Sequence, residues 1–221
     1  MNDNGHCQLT SYVAAQPVSG DDLLDVVNPY NGELVGTVRQ ATPEDAERAI
    51  VAASGAAGQL TRYQRYEILM KARTALNEQA EEFAQLIMRE SGLCLRETRY
   101  ETGRAADVMQ FAAIESLKDD GQIFSCDISP NGPQRKIFTV RDPLPLMAAI
   151  TPFNHPLNQV AHKIAPAIAA GTPAILKPSE KTPLVATKFT ELLHEAGLPG
   201  WMLLFFVIAG VHPPDLERGL R

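Results

Sequence analysis

The stretch LMAAITPFNHPLNQVAHKIAPAIAAGTPAILKPSE, residues 146–180, decides the fold. Leu146 to Phe153 is a short apolar run behind Pro143 and Pro145 and reads as a buried strand. A helix over about 156–170 follows, and Thr172 to Leu176 returns as a second strand, which makes one βαβ unit. The next helix opens near Pro183 behind Thr182 and stops at Gly197, with Leu184, Val185, Phe189, Leu192 and Leu193 on its inner side. A third strand is expected from about Met202. Strand, helix, strand, helix, strand implies a parallel sheet with right-handed crossovers, the beginning of a doubly wound α/β domain.

Upstream, Asn28-Pro29-Tyr30-Asn31-Gly32 is dense in turn formers between two strand-like runs, 25–27 and 34–38, and reads as a hairpin. Four helices then follow. Thr42, Pro43, Glu44 and Asp45 open the first, over about 43–55, and Thr61 with Gln64 has the spacing of a capping box for the second, which runs to about 77. A third spans about 78–90 and ends at Ser91-Gly92; a fourth spans about 95–117, with Ala105, Val108, Met109 and Ala112 on one face and Asp119-Asp120-Gly121 at its end. From Gln122 to Arg141 the pattern returns to strand, turn and strand around Ser129-Pro130-Asn131-Gly132-Pro133, a protruding β-hairpin.

Composition narrows the function. The chain has 221 residues, 45% hydrophobic and 21% charged, which is ordinary globular composition. A net charge of -6 argues against a nucleic-acid surface and for a small-molecule ligand. Met1 to Thr10 lacks the pattern of a secretory signal, and the apolar run Trp201 to Ala209 falls short of the roughly 20 residues a bilayer span needs, so a cytoplasmic location is expected with no membrane partner. The cysteines, Cys7, Cys94 and Cys126, are widely spaced and form no C-x-x-C motif, so no metal site is expected.

Open parallel sheets bind ligands beyond the carboxyl ends of their strands. Two polar patches of this sequence fall there: Thr151-Pro152-Phe153-Asn154-His155-Pro156 after the first strand, and Lys177-Pro178-Ser179-Glu180 after the second. Taken singly, Asn154 could cap the following helix and Lys177 to Glu180 could be a surface turn. No G-x-G-x-x-G loop is present, so a standard dinucleotide fingerprint is not implied.

These two patches resemble the amino-terminal signatures of the aldehyde dehydrogenase superfamily, Pro-Trp-Asn-x-Pro and Lys-Pro-(Ser/Ala)-Glu, with Phe153 in place of the common Trp; the likeness runs from about 25 to 203 and takes in Asn28-Pro29 and Gly197-Leu198-Pro199. The resemblance implies an incomplete doubly wound, Rossmann-like sheet of the aldehyde dehydrogenase fold. Its parts would be a hairpin and helical portion over 1–121, an oligomerisation-type β-hairpin over 122–141, the βαβαβ start of the nucleotide-binding sheet over 142–203, and a divergent tail over 204–221. It also implies that Asn154 donates its side-chain amide to the oxygen that gains negative charge when a cysteine attacks an aldehyde, one such donor being worth about 10²–10³ in rate. Lys177 and Glu180 would hydrogen-bond the cofactor's adenosine ribose, with Ser179 beside them, and Ile150, Thr151, Pro152 and Phe153 would pass the cofactor mainly through backbone. A carboxylate at 180 accepts from ribose hydroxyls and repels a 2′-phosphate, which favours NAD and leaves NADP possible.

Asp119-Asp120-Gly121, Ile123-Phe124-Ser125-Cys126-Asp127, Arg135 to Thr139 and Phe153 to Asn158 together resemble phosphonoacetaldehyde dehydrogenases. That likeness makes Arg104 and His155 candidates for binding the phosphonate, Arg through its bidentate geometry. Arg104 could equally pair with Asp107 or Glu101 on its own helix, and His155 could simply pack. The family's later segments, Glu-Leu-Gly-Gly with the general base and Gly-Gln-x-Cys with the nucleophile, do not occur in these residues. The chain alone is therefore expected not to oxidise aldehydes. Its leading role is part of an NAD(P)-dependent oxidation of an aldehyde to the carboxylate, in a homo-oligomer by family; the alternative is a non-catalytic nucleotide-binding or assembly module. After Leu203 the likeness is expected to fail, leaving an uncovered sheet edge and exposed apolar residues.

Overall fold

A computed structural model describes residues 7–9, 12–13, 16–18, 21–118 and 121–208. The start at 1–6, Asp119-Asp120 and the end at 209–221 lie outside the described residues. In chain order the elements are β1 (Cys7–Leu9), β2 (Tyr12–Val13), β3 (Gln16–Pro17), β4 (Leu23–Val27), β5 (Leu34–Arg39), α1 (Pro43–Ala53), α2 (Arg62–Glu78), α3 (Ala80–Ser91), α4 (Leu95–Ser116), β6 (Ile123–Phe124), β7 (Ile137–Phe138), β8 (Met147–Ile150), α5 (Pro156–Ala170), β9 (Ala174–Lys177), α6 (Pro183–Glu195) and β10 (Leu203–Phe205).

Local chemistry sets the helix limits. Thr42 and Asp45 form a reciprocal capping box at the start of α1, and Thr61 and Gln64 do the same for α2. Gly92 ends α3 in the left-handed conformation that L-residues avoid. Gly171 ends α5 at φ +80, a backbone angle that favours glycine, and a Cβ there would also meet Arg65 Nη1 at 2.1 Å and oblige the end of that side chain to move.

The sheet that carries the rim has the order β3-β2-β10-β9-β8, with β8, β9 and β10 parallel. The successive crossovers through α5 and α6 are what the sequence implied. Along β10 and beyond it the side chains alternate: Leu203, Phe205 and Val207 join the cluster containing α5 and α6, while Leu204, Phe206 and Ile208 join α1 through Ala49 and Ala53. A strand covered on both faces reads as a continuous apolar run rather than an alternating one. The expected exposure of apolar residues after Leu203 therefore does not hold for 204–208, all of which are buried. Besides its parallel pairing with β9, which extends to the Phe206 N–H on the Leu176 carbonyl, two further contacts hold this segment in place. β2 adds antiparallel to β10 through Phe205 and Tyr12, and Val207 bridges to Gln40, accepting from the N–H of Ala41.

The helical part packs behind the crossovers. α4 lies against α2, α3 and α5, and α6 contacts α2 and α3. The hairpin β6–β7 stands apart with its apolar residues in the open; Ile123 is 91% and Phe138 68% exposed. Among the described residues no helix is long and apolar enough to cross a membrane.

Candidate functional site

β8 and β9 pair in register Ile150 to Lys177, and the Thr151 N–H donates to the Lys177 carbonyl at 3.1 Å. The loops that leave these strand ends, 151–155 and 178–182, thus start side by side. They also touch further out, where Lys181 Nζ lies 4.7 Å from the centroid of the Phe153 ring. The convergence inferred from the sequence is present.

On the first loop Thr151 is buried, whereas Pro152, Phe153, Asn154 and His155 are exposed. Asn154 does not cap α5. The N-cap is His155, which makes no side-chain cap bond and sits at φ 62, ψ 61, the sole non-glycine residue with positive φ among the described residues. Such a conformation costs on the order of 1–3 kcal/mol and persists only where its surroundings over-determine it. The capping acceptor comes from α4: Glu101 Oε1 accepts from the N–H groups of Leu157 and Asn158 at 2.9 and 3.0 Å. Its other oxygen, Oε2, is buried without a hydrogen bond and lies 3.5 Å from His155 Nδ1.

On the second loop Lys177 is 8% exposed, and its Nζ donates to the Pro178 carbonyl at 3.4 Å and stands 3.9 Å from Glu180 Oε2. Ser179 is buried, with its Oγ accepting from the Lys181 N–H. The Glu180 carboxylate is open to solvent. The second loop therefore offers one exposed carboxylate and, at the end of β9, one ammonium, held to each other and to the backbone only by long contacts; beside them, between α1 and the strands, lies a small apolar recess of about 30 Å³ bordered by Ile50, Ile150, Ile175 and Lys177. That donor set suits a ribose diol against an apolar wall. A much larger groove, about 850 Å³, opens between α2, α4 and α5 and takes in Arg65, Arg141 and His162, but none of the rim residues. Size alone does not mark the site here.

Arg104 is exposed on α4, one turn from Glu101, and among the described residues it pairs with neither Glu101 nor Asp107. Cys94 precedes α4 and Cys126 lies in the β6–β7 connection. No cluster of metal-ligating side chains occurs among the described residues.

Sequence reasoning missed the two buried glutamates that seat the crossover helices. Glu90 from α3 accepts from the N–H groups of Leu184 and Val185 at 2.8 and 3.1 Å and so caps α6, as Glu101 caps α5. A carboxylate on the apolar face of a helix was the available signal, since Glu101 falls four residues before Ala105 and on the same face. Burial pushes the Glu90 carboxyl up to about 8, against its two N–H bonds and helped by the charge of Glu101; burial also raises Glu101 and Glu191. An acid whose folded value lies above its unfolded 4.5 stabilises fully below that value and loses the contribution as pH rises through about 8. Stability is thus expected to fall between about pH 5 and pH 8, and Glu90→Gln to flatten that slope in urea titrations. Glu81, drawn down to about 2 by Arg99, acts only below this window.

A family model described as the aldehyde dehydrogenase family matches residues 16–210. The 3-sulfolactaldehyde dehydrogenase of Priestia megaterium is 40% identical over 193 residues, 87% of this chain and 40% of the relative. The betaine aldehyde dehydrogenase of Bacillus subtilis is 36% identical over 184 residues, 81% of this chain and 37% of the relative. The crystal structure of betaine aldehyde dehydrogenase from Staphylococcus aureus in complex with NAD+ superimposes with a TM-score of 0.86 at 32% identity, covering 94% of this chain and 42% of that one. The chain spans about two fifths of the length of the curated relatives it matches.

Proposed function

The chain belongs to the aldehyde dehydrogenase family, and from that premise we propose that it contributes the ribose-binding and oxyanion-stabilising part of an NAD+-dependent oxidation of an aldehyde to its carboxylate. The observation that carries this reading is that the loops bearing Asn154 and Lys177 to Glu180 leave the carboxyl ends of paired strands side by side and touch again through Phe153 and Lys181. Lys177 and Glu180 hold the adenosine ribose, Ile150 and Thr151 to Phe153 line its path, and Ser179 keeps the second loop in its turn. NAD+ supplies the hydride acceptor. Asn154 stands ready with a neutral donor, its cap role having passed to Glu101, for the oxygen that gains charge when a thiolate adds to the aldehyde. Residues 1–221 contain neither the Glu-Leu-Gly-Gly nor the Gly-Gln-x-Cys segment, and taken alone they are expected not to oxidise aldehydes.

For the substrate we propose an aldehyde bearing a tetrahedral anion, phosphonoacetaldehyde first, with Arg104 and His155 as its cationic contacts. Arg104 is unclaimed by its helix neighbours, which supports this use. The relative named for 3-sulfolactaldehyde, whose name carries a sulfo group, points the same way. The test is a chimera in which residues 16–210 replace the matching segment of that relative. It is expected to turn over with NAD+ better than with NADP+, and Arg104→Leu is expected to lower kcat/KM for phosphonoacetaldehyde about 10–100-fold relative to acetaldehyde. An unchanged ratio removes Arg104 from the site. The exposed apolar hairpin favours a second reading, an assembly surface for other copies of the fold. Co-purification of the isolated chain with an intact homologue, lost when Ile123 and Phe138 become polar, supports it.

A further inference from the structure

The backbone that carries Asn154 is fixed only at its ends. The Thr151 N–H pairs with Lys177, Gln159 makes the first bond of α5 to the His155 carbonyl, and between them the N–H groups of Phe153, Asn154 and His155 make no hydrogen bond among the described residues. Pro152 and Pro156 have none to give. His155 nonetheless holds a left-handed conformation that L-residues avoid. Something outside the loop has to hold it there.

Glu101 is the group in place to do so. It reaches across from α4 with both oxygens assigned by position: Oε1 to the Leu157 and Asn158 N–H groups, and Oε2, buried and otherwise unpartnered, toward His155 Nδ1 at 3.5 Å. We propose that Glu101 is a positioning residue for the Asn154 site, holding the left-handed His155 turn from both sides, through the first turn of α5 and through the imidazole. This rests on the reading of Asn154 as the oxyanion donor. A carboxylate is needed rather than a hydroxyl, because three donors on two sides of the turn must be met by one short side chain. Asn154 then stands on a backbone set by α4, and the same helix carries Arg104 one turn away, so the donor and the proposed anion contact share one rigid support.

The test uses nitrogen-15 NMR on the full 221-residue chain, with Glu101→Gln, His155→Gly and the double variant. In the unmutated chain the His155 ring is expected to carry a proton on Nδ1; a neutral ring with bare Nδ1 overturns the proposal without any mutation. In Glu101→Gln the Nδ1 proton signature is expected to disappear, exchange protection of the Leu157 and Asn158 amides to fall about tenfold, and the Asn154 side-chain amide to move toward its free-peptide position. Glycine accepts φ near +60 unaided, so in the His155→Gly background the Glu101 change is expected to move Asn154 little. An equal loss at Leu157 and Asn158 in both backgrounds, with Asn154 and the His155 ring unmoved, reduces Glu101 to a helix cap and refutes positioning. None of these readings needs turnover. If Asn154→Ala leaves the chimera's rate intact while these shifts occur, the oxyanion assignment fails and the positioning stands.

Discussion

Asn154→Ala is expected to slow aldehyde oxidation by about 10²–10³-fold in the chimera, with kcat falling far more than KM rises. In the proposed role the amide, a neutral donor on an exposed loop, would meet the aldehyde oxygen weakly in the ground state and strongly once that oxygen is charged. The side chain is not committed to capping α5: the cap bonds an Asn at a strand-to-helix junction would ordinarily make are supplied by Glu101. Asn154→Asp is expected to be at least as damaging, because it places an acceptor where negative charge develops. Steady-state rates on both variants decide it, and a loss below about tenfold would return Asn154 to a structural part.

Phe205→Ala and Phe206→Ala are each expected to cost about 3–5 kcal/mol of folding stability in urea titrations of the isolated chain. The two rings leave the same strand segment for opposite faces, Phe205 into the cluster of α5 and α6 and Phe206 against α1, and both are within 1% of complete burial. Phe153→Ala, at 52% exposure, is the internal control and is expected to cost well under either. Losses near the control value for Phe205 and Phe206 would mean that this run is not seated in the sheet as described.

The burial of 204–208 reverses the expectation of exposed apolar residues after Leu203. Leu204-Phe205-Phe206-Val207-Ile208 has no alternation, so its polarity pattern names no face; only the presence of α1 on one side and α6 on the other explains why none is polar. Beyond β9, its partners are remote in sequence, Tyr12 in one case and Gln40 in the other, and pairings so short leave no periodic trace. Signals that act within a few residues were legible: the Thr42 and Thr61 boxes, the Gly92 stop, and the strand-helix-strand run from 146 to 177. The rim patches were legible too, because motif and topology pointed to one place. Glu90 and Glu101 were not, since each serves a helix more than fifty residues away, and a carboxyl on a helix face looks solvated until the helix it caps is in view.

The central claim is that this rim, and not the larger groove between α2, α4 and α5, is where the cofactor binds. Titrating NAD+ into the nitrogen-15-labelled chain and following its amide resonances tests that most directly. The account predicts saturable shifts confined to Ile150 to Asn154 and Lys177 to Glu180, abolished by Glu180→Lys. Shifts clustered instead around Arg65, Arg141 and His162, or indifferent to Glu180, would contradict it.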